Sequence, residues 1–260
     1  MKFTKFVKFV FILLIPGLTA CAPQPLTVTP EPVTLRLVVS DACAEPVQAL
    51  ALAYHRQRPW VAIETEVWND ALALERLQAG AADTAALIWA EGGGPLWTHP
   101  FAEDALAVIV HPAVPVEGLT LAELREVLRG RIGEWPDGTP VQVVSREEGA
   151  GTHSLIQAAV LGRWDLTLTA RVVPDDGSVL DLVAQTSGAV GYLPLSRVAG
   201  DVRVLALEGR SPAPAADYPL PCTCRWAAPA EPTGALRDFL QWTVGPQGQS
   251  VVEQALRPGP

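Results

Sequence analysis

Short β-type runs and amphipathic helical stretches take turns along this chain from residue 35 onward, and that alternation leaves few architectures open. Leu35 to Ser40 reads as a strand, Pro46 stands where a first-turn proline belongs, and Val47 to His55 carries apolar residues at helical spacing. Val61 to Val67 alternates as a strand, Asp70 is expected to cap a helix over Ala71 to Gln78 that Gly80 ends, and Thr84 to Trp89 is the next apolar strand. A β-α-β-α-β order of this kind predicts an α/β sheet. Farther on, Ala105 to Val110 reads as a buried strand, and Thr120-Leu121-Ala122-Glu123 is a capping box opening a helix that closes at Gly130. Val141 to Ser145 is a strand, followed after a short loop by a helical stretch from His153 to Leu161. Ser178 is placed as the cap of a helix over Val179 to Gln185, Ala189 to Leu193 and Val202 to Leu207 read as strands, and Thr233 as the cap of Ala235 to Val244. Pro212, Pro214, Pro219 and Pro221 mark a linker-like stretch. No repeat at a solenoid period is present.

With 260 residues, 49% hydrophobic and 18% charged, the chain can bury one or two cores, which excludes disorder and a small disulfide scaffold. Its three lysines (Lys2, Lys5, Lys8) all precede residue 9, so the remainder carries 16 Arg against 28 acidic residues, a formal charge of −12. Nucleic acid is excluded as a partner on that ground. An anionic ligand would have to be held by local dipoles and a placed Arg against the overall field.

Those lysines form a positive n-region, Phe9 to Ile15 is an apolar run too short for a permanent membrane span, and Gly17 to Ala20 is small and turn-like. Residues 1–20 therefore read as a signal peptide. Leu18-Thr19-Ala20-Cys21 resembles the bacterial lipobox, which implies cleavage before Cys21 and lipidation of its sulfur. Two or three acyl chains would make a stable anchor. Residues 21–33, with Pro23, Pro25, Pro30 and Pro32, are expected to be an extended tether. Cys43, Cys222 and Cys224 remain; one must stay unpaired in a monomer, and a bridge from Cys43 to either of the others would tie an early segment to a late one. C-x-C without a matching Cys/His pair does not make a zinc site, and no cofactor or metal is implied.

The segment that carries chemistry runs from Arg146 to Thr152, between the strand over Val141 to Ser145 and the following helix. A strand that ends in a Gly-rich loop and enters a helix aims several backbone N–H groups at one place, and with Arg146 and Thr152 beside them that place suits a tetrahedral oxyanion. Charge-assisted bonds from the Arg, about 1.5–3 kcal/mol each, should outweigh the helix dipole at ~0.3–1 kcal/mol. The loop lacks the Lys of a P-loop and the spacing of a dinucleotide fingerprint.

Here the chain resembles the phosphate-binding lipoproteins of bacterial ABC transporters, which are class II periplasmic binding proteins. Val141 to Thr152 is similar to that family's strand and R-x-x-G-S-G-T loop, and Glu103 to His111 to its domain-crossing strand. Leu119 to Gly130 with Ile132 to Trp135, Ser187 to Tyr192, Tyr218 to Leu220 and Gly245 to Gln249 match further family segments in order. The resemblance implies a two-lobed α/β fold with a ligand cleft between lobes: residues 34–107 and 218–260 in lobe I, 108–217 in lobe II. It implies a monomeric, non-enzymatic receptor, anchored by lipid and facing the periplasm or the cell exterior, that passes phosphate or a related oxyanion to ABC transporter membrane subunits. By the same resemblance Arg146 pairs with the oxyanion, Gly149, Ala150, Gly151 and Thr152 frame it, and Thr152 adds its hydroxyl.

The chain departs from that pattern at Ala150, where the family has Ser, and in the first-lobe loops. Ser40-Asp41-Ala42-Cys43 stands where a G-S-S-T-like loop is usual, and Ile88-Trp89-Ala90-Glu91, followed by three glycines, where a Ser-Arg or Ser-Asp pair is usual. Ser40, Asp41, Ala42 and Glu91 are the first-lobe candidates, with Asp41 or Glu91 able to accept a proton from P–OH and so discriminate against sulfate. Trp89 and Trp97 flank the same loop. His153 and Ser154 adjoin the Gly-rich loop, but no G-x-S-x-G elbow and no H-E-x-x-H set is present, which disfavours a hydrolase or a metalloenzyme. The altered first-lobe loops also admit a lipoprotein that keeps the fold with a degenerate pocket and acts in sensing or surface interaction.

Overall fold

The computed structural model describes residues 31–88, 95–212 and 217–257. Residues 1–30, with the signal segment, Cys21 and most of the tether, lie outside them, as do Trp89, Ala90, Glu91, the three glycines after it and Pro214. Residues from Pro32 onward form one compact unit.

Strand β1 (Val33–Ser40) begins inside the expected tether, because Val33 already pairs with Val61. A single 3-10 turn (Asp41–Cys43) leads into α1 (Ala44–Gln57), where Pro46 falls in the first turn and Val47, Leu50 and Tyr54 recur on one buried face. Then come β2 (Val61–Trp68), α2 (Asp70–Gln78) and β3 (Thr84–Leu87); β2 and β3 flank β1, both parallel to it. Side chains of β1 alternate between faces, so Leu37 and Val39 pack into the main core with α1, while Val38 packs with Ala73, Leu74 and Leu77 of α2.

The long strand β4 (Trp97–Val110) joins the two halves of the sheet. It begins eight residues before the expected Ala105, because Pro100, Glu103 and Asp104 mask its pattern. Pro100 faces the irregular register at Cys224/Arg225, and the Asp104 carboxylate accepts the Ala105 and Ser196 amides. Next in order are β5 (Gly118–Leu119), α3 (Leu121–Leu128), β6 (Gln142–Arg146), α4 (Gly151–Ile156) continued by a π-turn through Leu161, β7 (Arg171–Val173) and α5 (Asp176–Gln185). They are followed by β8 (Ala189–Pro194), β9 (Arg203–Val204), β10 (Ala206–Leu207), β11 (Pro221–Ala228), α6 (Gly234–Val244) and α7 (Pro246–Ala255).

The sheet order is β2-β1-β3-β11-β4-β8-β6-β7, with β9 also on β4 and β5 paired apart with β10. β4 pairs with β11 as far as Ala105 and with β8 from Leu106 onward. We refer to the half of the sheet from β2 to the start of β4 as the first lobe and to the half from the end of β4 to β7 as the second.

Several local expectations are corrected. The stretch read as a proline linker ends in β11, with Pro221 at the first strand position, where a missing N–H costs nothing. Asn69, not Asp70, caps α2, its Oδ1 accepting Leu72 N–H at 2.9 Å; Asp175, not Ser178, caps α5, its Oδ1 accepting Ser178 N–H at 2.7 Å. Thr120 and Glu123 form the expected reciprocal capping box, whereas Thr233 makes no side-chain cap bond. The disulfide joins Cys43 to Cys224 and leaves Cys222 buried as a free thiol, its pKa pushed well up by burial. No described helix is long and apolar enough to cross a membrane.

Candidate functional site

Strand β6 buries Val143, Val144 and Ser145 and delivers Arg146, only 2% exposed, to the edge of the cleft between the lobes. The loop then turns at Gly149, whose φ of +93° is one that L side chains rarely adopt. A Cβ on Gly151 would lie 2.3 Å from Ile88 Cγ1 and 2.6 Å from Asp70 Cγ, so only glycine lets the first-lobe residues come this close. Ala150 is the helix cap residue; its amide donates back to the Glu147 carbonyl at 3.2 Å. Thr152 is buried, and its Oγ1 has no partner among the described residues.

Arg146 is not a free cation waiting for a ligand. Its Nε donates to Glu147 Oε2 at 3.0 Å and its Nη2 to Glu147 Oε1 at 3.2 Å and the Pro174 carbonyl at 2.9 Å. Its Nη1 donates to Asp41 Oδ2 at 2.8 Å and Asp176 Oδ1 at 2.6 Å. A guanidinium has five N–H groups, and five bonds use them all. Burial alone would lower its pKa, but the Glu147 bonds and the charges of Asp176 and Asp41 outweigh that and hold it above its usual value, so Arg146 stays charged.

Asp176, the first residue of α5, is fully buried. Burial first, and then the charge of Asp41, push its pKa up to about 7 despite Arg146, and its Oδ2 has no partner among the described residues. Asp41 Oδ2 also accepts the Asp176 amide at 3.0 Å, so it links the turn after β1 to both Arg146 and α5 across the cleft. Ala42 is buried in that same turn.

Ser40, at the end of β1, donates its hydroxyl to Asp70 Oδ2 at 2.5 Å. Gly151 N–H donates to the same oxygen at 2.9 Å, and Ile88 N–H to Asp70 Oδ1 at 2.9 Å. Asp70, only 4% exposed, thus takes donors from both lobes. A cavity of about 660 Å³ opens beside it, lined among others by Gly149, His153, Ser154 and Asp165; Arg146 does not line it. Beneath the loop, Ser145 Oγ lies 2.6 Å from Tyr192 Oη and 3.4 Å from His153 Nδ1. Burial raises the Tyr192 pKa to about 12 and lowers that of His153. Trp97 stacks on His99, with ring centres 6.0 Å apart.

The structure brings Asp41 to Arg146 and joins Ser40 to Gly151 through Asp70, with Gly149 and Thr152 on the same loop. Sequence reading missed Asp70 and Asp176. Both lie at helix starts, where an acidic residue reads as a favourable end charge, and nothing local indicates that it turns away from its own helix.

The PBP superfamily domain model matches residues 27–247. Among curated proteins, phosphate-binding protein PstS of Bacillus subtilis is 24% identical over 226 residues, covering 80% of this chain and 74% of the relative. PstS of Pseudomonas aeruginosa is 26% identical over 125 residues, covering 42% of this chain and 38% of the relative. A phosphate ABC transporter substrate-binding protein from Clostridium perfringens, solved with bound phosphate, superposes with a TM-score of 0.79 at 23% identity, covering 85% of this chain and 97% of that one. A phosphate transport receptor from Vibrio cholerae gives 0.72 at 22% identity, covering 87% and 100%. With a crossing strand between two sheet halves, a cleft loop in the expected place and a domain match over most of its length, this chain belongs to the PBP superfamily.

Proposed function

We propose that this protein is an extracytoplasmic substrate-binding component of an ABC transporter and that its ligand is phosphate. Kinship to phosphate-binding proteins and receptors supports the transport role. The observation that carries the ligand class is two buried polar atoms without a partner among the described residues: Thr152 Oγ1, a donor, on the Arg146 loop, and Asp176 Oδ2, an acceptor, on the helix bonded to Arg146. A hydrogen phosphate offers both an acceptor oxygen and a P–OH donor, whereas sulfate offers acceptors alone. Asp176 is the proposed proton acceptor ahead of Asp41, because its Oδ2 is buried with no partner among the described residues whereas Asp41 Oδ2 already takes Arg146 and the Asp176 amide; Glu91 lies outside the described residues.

In this reading residues 34–107 and 218–260 form the first lobe and 108–217 the second. Cys21 carries the lipid anchor, the tether spaces a monomeric body from the membrane, and transporter membrane subunits receive the ligand. The role is capture, not catalysis.

Calorimetric titration of Thr152→Val against the parent chain tests it, with phosphate, sulfate and molybdate. Loss of the hydroxyl should weaken phosphate binding about tenfold, a neutral-to-charged hydrogen bond being worth on the order of 1.5 kcal/mol, without loss of stability, because no protein bond is removed. Equal phosphate affinity in the two proteins would place the ligand elsewhere. A second reading, a lipoprotein whose pocket is retired, is favoured by the saturation of Arg146. Silence of the parent chain toward all three anions would establish it.

A further inference from the structure

Asp70 does something an N-terminal helical acid need not do. The cap bond of α2 is made by Asn69, and the Asp70 carboxylate turns off its own helix toward donors that among the described residues include Ser40 O–H, Ile88 N–H and Gly151 N–H. Two of these come from the first lobe and one from the second. Ser40 and Gly151 are also among the residues that the sequence pattern offers to an oxyanion. A carboxylate offers the same charge and acceptor oxygens as one edge of a tetrahedral anion, so the two cannot hold these donors together.

Neighbouring bonds reinforce the contact. Ala71 N–H donates to the Gly149 carbonyl at 3.0 Å, and Asn69 Nδ2 donates to Glu147 Oε1 at 3.3 Å, so the whole start of α2 is fastened to the Arg146 loop. The absence of a side chain at Gly151 is what admits the Asp70 carboxyl group at this distance.

We infer that Asp70 is a built-in anion: its carboxylate occupies part of the ligand seat, holds the two lobes together when no ligand is bound, and must be displaced for an oxyanion to enter. The inference rests on the proposed oxyanion function for its ligand, and on the cross-lobe bonds alone for the latch. A ligand that binds only the displaced state has its affinity reduced by the fraction of molecules in that state. If the latched form holds nine-tenths or more of the population, removing the carboxylate strengthens binding tenfold or more. Such a receptor discriminates against monoanions with few acceptor oxygens, which cannot replace the bonds that Asp70 gives up.

The test compares the full chain in detergent micelles with its Asp70→Ser and Asp70→Ala variants, two substitutions so that a folding defect in one does not decide the result. Calorimetry with inorganic phosphate and sulfate reads affinity; amide hydrogen exchange of the peptides spanning residues 86–88 and 149–156, without anion, reads the latch. Tenfold or tighter phosphate binding in both variants, or binding that the parent lacks, supports the built-in anion. Unchanged or weaker binding in folded variants of a parent that does bind phosphate overturns it, and would make Asp70 part of the ligand's own acceptor set. If no protein binds either anion, the oxyanion reading fails, and exchange alone decides the latch: faster exchange at both peptides sustains it, and unchanged exchange overturns it.

Discussion

Replacing Asp176 by Asn should change how the stability of this protein depends on pH, and the size of the change follows from its place beside Arg146. Its ordinary pKa is 3.8, and burial, followed by the charge of Asp41, raises it to about 7 in the folded chain. The folded state therefore holds this proton more tightly than the unfolded state, so stability falls as pH rises from 3.8 to about 7 and levels off above that. At 1.36 kcal/mol per pH unit the full penalty is ~4 kcal/mol, of which about 2–3 kcal/mol develops between pH 5 and pH 8. Asn cannot ionise, so the variant lacks this term, while its Oδ1 can still accept from Arg146 Nη1, the bond now 2.6 Å long. His153 acts in the opposite direction: burial lowers its pKa, so the unfolded chain binds the proton more readily and stability rises with pH. That contribution is common to both proteins and cancels in their difference.

The assay is urea unfolding of both proteins at half-unit steps from pH 5 to pH 8. Relative to its own value at pH 5, the parent should lose about 2–3 kcal/mol more than Asp176→Asn by pH 8, a shift of roughly 1 M in the difference of midpoints at a slope near 2–3 kcal/mol/M. Parallel pH profiles for the two proteins would refute the reasoning, and with it the assignment of Asp176 as the carboxyl that can hold a proton near neutral pH.

Two further outcomes are expected. The Cys43–Cys224 bridge spans 181 residues, for which the chain-entropy model gives a ceiling near ~5 kcal/mol; Cys43→Ser with Cys224→Ser should therefore lower the thermal midpoint by roughly 5–15 °C in a chain of this size, and an unchanged midpoint would mean that the bridge constrains little in the unfolded chain. Cys21→Ser should release the protein from the membrane fraction into the soluble fraction of fractionated cells, and continued sedimentation with membranes would remove the lipid anchor from the proposal.

The parts of the fold that were legible are those set by neighbours in sequence. The capping box at Thr120 and Glu123, the first-turn Pro46 and the strand run from Leu35 to Ser40 each express a requirement of a few residues of backbone. Strand β11 was hidden because Pro219 and Pro221 carry the local signature of a linker, and only its place between β3 and β4 makes it a central strand. Asn69 took the capping role assigned to Asp70, whose carboxylate is drawn into the cleft instead, and Asp175 took the one assigned to Ser178, because α5 already begins at Asp176.

The site divides in the same way. Its loop from Arg146 to Thr152 was visible, since a strand, a glycine turn and a helix start are contiguous and their chemistry is that of backbone amides. The occupants of those donors were not visible. Asp41 meets Arg146 across 105 residues and Asp70 meets Gly151 across 81, and no periodicity or motif records which distant carboxylate reaches a given N–H. Sequence by itself determined the alternating α/β architecture and the glycine-bearing turn between β6 and α4, because both follow from local backbone geometry. Only the tertiary packing decided that the loop is met by Asp41 and Asp70 from the first lobe and by Asp176 from the second, because charges paired through space are chosen by the packing of the whole sheet.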